Sequence, residues 1–135
     1  MESGIFPETK PTILLAEDDP DQSDMLKETL EDEGYAVDTA FSGEAAFHKL
    51  LHHDYQLAIM DVRMPGMSGL DVLKQLRLRE NGHHLPVVMV SAFATAADLK
   101  RYRAQGADAV FAKPYNLDQL LQTIAELVLN LRGPS

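Results

Sequence analysis

Apolar residues in this chain gather in short runs, and between the runs they recur at helical spacing. The clearest run is LAIM at 57–60, which goes straight into Asp61 without polar alternation. Such a run suits a strand covered on both faces. TILLA at 12–16 and VVMV at 87–90 have the same character, and ADAVFA at 107–112 reads as the last strand. YAVDTA at 35–40 alternates, which predicts a strand at an edge of the sheet.

The intervening stretches carry helix signals. Pro20 has no N–H to lose and suits a first turn, Asp19 can cap it, and Asp21 and Asp24 favour its positive end. That helix should run over 20–33, burying Met25, Leu26 and Leu30, and stop at Gly34. Ser42 caps a second helix to about residue 51, with Ala46 and Leu50, and Phe47 and Leu51, paired along one face. Ser68 and Asp71 have capping-box spacing and open a third, striped by Leu70, Leu73 and Leu76 and broken at Asn81 and Gly82. A fourth, over 95–104, has Leu99 as its only large aliphatic residue and ends before Gly106. Asn116 caps the last, whose apolar side is Leu117, Leu120, Leu121, Ile124, Leu127, Val128 and Leu131. Strands and helices therefore alternate with short connections. The expected fold class is α/β, a single doubly wound (βα)5 domain over 12–131 with parallel strands and right-handed crossovers. Residues 1–11 read as a flexible lead-in, and 132–135 as a tail or the start of a linker.

Composition narrows the classes of function. The 135 residues carry a formal net charge of −9. Nucleic-acid binding rests on neutralising phosphates with Lys and Arg, so this domain alone is unsuited to it. The charge says nothing of a separate DNA-binding domain. No cysteine is present, which removes disulfides and thiolate metal sites and fits a reducing, cytoplasmic setting. No apolar run approaches the roughly 20 residues that span a bilayer, and no membrane role is expected.

The ends of the runs carry the chemistry. The first strand ends in Glu17 and Asp18, the third in Asp61, the fourth in Ser91 and the fifth in Lys113. Open α/β sheets bind ligands beyond the carboxyl ends of their strands. Carboxylates gathered there repel one another and call for a cation. All-oxygen ligation with retained waters is the preference of Mg²⁺. A lysine supplies fixed positive charge for an anion, and a serine hydroxyl can donate to an anionic oxygen. Together these groups suit phosphoryl transfer onto a carboxylate.

Four stretches, ILLAEDDP, AIMDVRMPGMSGLD, VVMVSAF and GADAVFAKPYN, make the chain resemble the receiver domain of two-component response regulators, of the chemotaxis-receiver kind, over about residues 12–131. The resemblance implies a flavodoxin-like five-stranded parallel sheet in the order 2-1-3-4-5, which periodicity alone does not give. It implies Asp61 as acceptor of a phosphoryl group from a sensor histidine kinase or a histidine phosphotransfer protein. It also implies Mg²⁺, with Mn²⁺ as a substitute, held by Asp18, Asp61 and the backbone carbonyl of Arg63, with Glu17 acting through water. Ser91 stands at the switch hydroxyl, Lys113 at the lysine that contacts the phosphoryl group, and Lys113-Pro114 at a cis peptide. Asp19 is the alternative to Asp18, but the residue before Pro20 better suits helix capping. The implied output is altered binding of a downstream protein or a fused output domain, or a homodimer through helix 4, strand 5 and helix 5. Such a domain is not a true enzyme; it assists only its own phosphorylation and dephosphorylation.

One position departs from the family. An aromatic residue is usual three places before the strand-5 lysine, and here that place holds Val110. Phe111, one residue later, should face the other way. The switch is then expected to work by backbone and helix shifts rather than a ring flip, with Phe93 and Tyr115 as aromatic contacts near the output surface. An aspartyl phosphatase of the haloacid dehalogenase kind wants D-x-D after strand 1, where this chain offers Glu17 and Asp19. A topoisomerase-primase-like metal fold wants D-x-D at strand 3, where it has Asp61-Val62-Arg63. A degenerate receiver used only for binding is opposed by the set Asp18, Asp61, Ser91 and Lys113. The pairs His48/His52 and His83/His84 read as solvated surface, Met64 and Met67 as packing, and Arg101 and Arg103 as surface charge.

Overall fold

The computed structural model describes residues 10–80 and 84–131, the last of these by its backbone alone. The expected lead-in over 1–9, the helix breakers Asn81 and Gly82, His83, and the tail over 132–135 lie outside the described residues. The elements are β1 (Thr12–Ala16), α1 (Pro20–Asp32), β2 (Ala36–Ala40), α2 (Gly43–His52), β3 (Leu57–Asp61), α3 (Gly69–Arg79), β4 (Val87–Ala92), α4 (Ala96–Ala104), β5 (Ala109–Lys113) and α5 (Leu117–Leu131). The five strands are parallel and ordered β2-β1-β3-β4-β5, as the resemblance implied.

Side chains alternate across each strand, so the sheet feeds two cores. Leu14, Ala58, Met60, Val87, Met89 and Val110 pack with residues of α2, α3 and α4. Ile13, Leu15, Leu57, Ile59, Val88 and Val90 pack with Leu26 and Leu30 of α1 and Leu120, Ile124 and Val128 of α5. Full burial of each large aliphatic side chain contributes about 1.5–3 kcal/mol. Both faces of β3 gain this, which is why its run shows no polar alternation. At the edge, every residue of β2 except Ala40 keeps some exposure.

Caps fix where the helices begin. Asp19 accepts from the N–H groups of Asp21 and Gln22, Ser42 from Ala45, and Asn116 from Gln119. Capping boxes open α3 at Ser68 and Asp71 and α4 at Thr95 and Asp98. The second explains how α4 starts with so little apolar material; each such cap contributes about 1 kcal/mol. The chain leaves α1 at Gly34 (φ +100°) and α4 at Gly106 (φ +116°), in the left-handed region that favours glycine.

Several expectations need correction. Met25 is 72% exposed, because α1 turns it away from the sheet. The buried anchor of α4 is Tyr102 rather than Leu99, which is only partly covered. Leu51 and Leu117 are exposed rather than buried, at the ends of their helices. The last strand begins at Ala109, after Asp108 is drawn aside to accept from the N–H of Val87 and from Arg77. Arg77 also donates to the carbonyls of Leu85 and Gly106 and to Glu80, tying α3 to the amino edge of β4 and β5. His84 joins this network through Asp108, at 2.8 Å.

Two local features generate tests. Ser23 is fully buried on α1, and its hydroxyl has no partner among the described residues. Ser23→Ala removes an unsatisfied buried group and raises helix propensity, so chemical denaturation should show a gain of about 1 kcal/mol. On the edge strand, Asp38 accepts from Lys49 at 2.7 Å and from the Tyr55 hydroxyl at 2.6 Å. Burial pushes the Asp38 carboxyl up, but these hydrogen bonds and the Lys49 charge outweigh it and hold it below its ordinary value. The unfolded chain then binds the proton more readily. The stabilisation is complete above the ordinary carboxylate range and is lost as pH falls through the folded-state value. Asp38→Asn should cost about 1 kcal/mol at neutral pH, with the deficit shrinking in urea melts as the pH is lowered toward about 3.

Candidate functional site

All five strands run the same way, so their carboxyl ends share one edge. Four of them deliver polar side chains there. Glu17 continues β1 by one residue, its N–H donating to the Ala40 carbonyl at 3.0 Å. Asp61 closes β3 in register with Val90, one place before Ser91, and Lys113 closes β5 in register with Ala92. Glu17 and Asp61 are each only 6% exposed, while Asp18 is exposed. Carboxylate oxygens of Glu17, Asp18 and Asp61 lie within 4.8 Å of one another.

Lys113 ties the end of β5 to the ends of β1 and β3 and to α1. Its ammonium donates to Asp61 Oδ2 at 2.7 Å, to Glu17 Oε1 at 2.8 Å and to Gln22 Oε1 at 2.8 Å. All three of its protons are engaged. Burial works against the charge, but the hydrogen bonds to Asp61 and Glu17 outweigh it and raise the Lys113 pKa above its ordinary value. Burial pushes the Glu17 carboxyl up, and the Asp61 charge adds to this. The bonds from Lys113 and from the N–H of Asp19 pull it back only in part. The hydrogen bonds thus favour the charged form of Lys113, while burial disfavours the charged form of Glu17.

The other candidates fall into place around this centre. The N–H of Arg63 donates to Asp61 Oδ1 at 3.0 Å, and its side chain is exposed. Ser91 is buried at the end of β4, with its hydroxyl on the Ala92 carbonyl at 3.3 Å. Asp19 is spent on the α1 cap and on Gln22 Nε2, at 3.1 Å. The Asp18 carboxylate has no hydrogen-bond or ion-pair partner among the described residues. Lys113-Pro114 is cis. Val110 is buried on the α4 face, whereas Phe111 packs on the other face and meets Tyr115 edge-on at 6.4 Å. Phe93, two residues beyond Ser91, is 89% exposed with φ +60°, so its ring stands at the surface.

Gln22 escaped the sequence reading. An exposed glutamine in a helix's first turn looks like solvated surface. The available signal was its place one turn beyond Asp18, which aims it back at the strand ends. The donor set fits Mg²⁺: the three clustered side chains are all carboxylates, and exposure at Asp18 leaves room for retained waters.

A doubly wound sheet in this order, with an acidic pocket and a lysine at its carboxyl edge, defines a class of phosphoryl-handling signalling domains. The chain belongs to the response regulator receiver domain family, whose pattern matches residues 13–125. It is 42% identical over 121 residues to the transcriptional regulatory protein TctD of Salmonella typhimurium, covering 90% of this chain and 53% of that protein. The chain thus spans about half the length of that relative. It is 32% identical to the polar-differentiation response regulator DivK of Brucella ovis, covering 84% of this chain and 92% of DivK. The receiver domain of Francisella response regulator 1452 superposes with a TM-score of 0.85 at 26% identity, over 90% of this chain and 98% of that one. The chemotaxis response regulator CheY4 of Vibrio cholerae gives 0.78 at 31% identity, over 88% and 99%.

Accepting a phosphoryl group on aspartate is the standard function of this family, in two-component signalling. Its members are signalling domains rather than conventional enzymes, bind Mg²⁺ at an acidic pocket, and work with histidine kinases or phosphotransfer proteins and output domains. No helix among the described residues is long and apolar enough to cross a membrane.

The lysine contact yields a test. Lys113→Met leaves Glu17 and Asp61 facing each other without a cation. Complete loss of one partner from a buried pair costs about 3–5 kcal/mol, and partial exposure reduces this to about 2 kcal/mol here. Urea denaturation at neutral pH, without added metal, should show that loss.

Proposed function

We propose that Asp61 is the phosphoryl acceptor and that Lys113, Glu17, Asp18 and Ser91 serve it. The observation that carries this reading is the Lys113 ammonium, which reaches both Asp61 and Glu17 beside an all-carboxylate cluster. A carboxylate oxygen of Asp61 attacks phosphorus in line. The bond from phosphorus to the donor breaks, an acyl phosphate forms, and the leaving group takes the bonding electron pair. The donor is a phosphohistidine of a kinase or phosphotransfer protein, or a small acyl phosphate. Asp18, Asp61 and the Arg63 carbonyl would hold Mg²⁺, with Glu17 acting through water. A bound divalent ion there supplies positive charge for the phosphoryl oxygens.

Lys113 gives up its bond to Asp61 and follows the new charge, since a phosphoryl oxygen is the stronger acceptor. Ser91 turns its hydroxyl from the Ala92 carbonyl toward the same group. The domain thereby assists its own phosphorylation and hydrolysis, and its output is binding. Val110 is buried and has no ring to swing, so α4, β5 and α5 pass the change on by shifting as packed elements. The surface they form would meet a downstream protein, a fused output domain or a second copy. Residues 12–131 act as the receiver unit, in a cytoplasmic setting.

Acetyl phosphate with Mg²⁺ should place one base-labile phosphoryl group on the intact protein, measured by mass. Asp61→Asn should abolish it with an unchanged circular-dichroism spectrum, because an amide forms no acyl phosphate. Undiminished labelling of the variant would refute the assignment. Titration calorimetry should find Mg²⁺ binding strongly weakened by Asp18→Ala and little changed by Asp19→Ala; the reverse result would move the ligand to Asp19.

A further inference from the structure

Residues 62–68 join β3 to α3, and within them residues 63–67 carry the Arg63 carbonyl. The loop is tied at both ends. The Arg63 N–H donates to Asp61 Oδ1 at 3.0 Å, and the Gly69 N–H donates to the Val62 carbonyl at 2.9 Å. Its later part, at Gly66 and Met67, lies on the first turn of α2. Glu44 Oε2 accepts the N–H of Met67 at 3.0 Å. A Cβ placed on Gly43 would stand 1.7 Å from the Met67 carbonyl oxygen, so the helix backbone itself touches the loop. A Cβ on Gly66 would stand 2.5 Å and 2.8 Å from the two Glu44 carboxylate oxygens. The carboxylate therefore covers Gly66 while it holds Met67.

A glutamate in the first turn of a helix is favoured by the helix dipole alone. That accounts for the charge, but not for a carboxylate turned outward onto the N–H of another element. Two glycine contacts and one hydrogen bond place α2 as a clamp on the loop. We infer that Glu44 is a positioning residue of the metal site: it fixes residues 63–67 so that the Arg63 carbonyl stays at its ligand position. The inference rests on the Mg²⁺ reading above and extends it to α2. Groups that orient metal ligands without touching the metal commonly change its affinity by about 10–100-fold.

The test compares Glu44→Ala with Glu44→Gln in the full chain. The first removes the acceptor; the second keeps an acceptor oxygen and removes the charge. Mg²⁺ alone is titrated by calorimetry, and exchange of the Met67 amide is followed by NMR. Glu44→Ala should raise the Mg²⁺ dissociation constant by about tenfold and speed Met67 exchange, while Glu44→Gln stays within about threefold of wild type in both. Three outcomes overturn the inference. Met67 exchange that is unchanged in Glu44→Ala means the bond does not hold the loop. Faster exchange with unchanged Mg²⁺ affinity means the clamp does not serve the metal. Equal weakening by Gln and Ala means that the charge of Glu44, not its position, acts on the ion. A wild-type chain that binds no Mg²⁺ overturns the site reading and this inference together, which separates that failure from the other three.

Discussion

The ammonium of Lys113 holds together carboxylates that would otherwise push the carboxyl edge of the sheet apart. Unit charges about 4 Å apart interact by roughly 4 kcal/mol at the effective dielectric near a protein surface. Repulsion among Glu17, Asp18 and Asp61 is therefore of the same order as much of a domain's net stability. One lysine reaching two of them offsets most of it and leaves Asp18 facing water. The pocket is then stable enough to exist and still short of positive charge. That residual deficit is what a divalent ion would satisfy.

Parallel topology makes this economical. The same strands that bury Leu14, Ile59, Met60, Val88 and Met89 deliver Glu17, Asp61, Ser91 and Lys113 at their ends. Core and site are consecutive residues, so a shift at the edge is felt directly in the packing. The two faces of β5 divide the consequences. Val110 leans on the layer containing Tyr102 of α4, while Phe111 leans on Tyr115 and the α1–α5 layer. A change at Lys113 can thus reach α4 and α5 by different side chains.

The strands and most helix starts were legible because their causes are local. Apolar runs without alternation mark doubly covered strands, and Asp19, Ser42, Ser68 and Asn116 cap the helices that follow them. Strand-end chemistry was legible because parallel strands bring their ends to one edge. What could not be read depends on rotation and distance. Nothing local tells Met25 from Leu26 as the residue facing the sheet, or makes Tyr102 rather than Leu99 the anchor of α4. Gln22 and Glu44 look like ordinary first-turn polar residues; their partners, Lys113 and Met67, are 91 and 23 positions away. The Arg77 network is illegible for the same reason, since its acceptors include Gly106 and Asp108 across the α4 layer.

The bond between Lys113 and Glu17 links residues 96 positions apart. β1 cannot find β3 until β2 and α2 have been passed over, and β5 closes the sheet last in chain order. Contacts of such long sequence separation carry a loop-closure cost that earlier local structure must first offset. On a ribosome, then, the acidic edge emerges long before the cation that quiets it. A chain that stops short of β5 carries the Glu17, Asp18 and Asp61 carboxylates without the one ammonium that bridges two of them, so the charge balance of this edge is the last thing the sequence supplies.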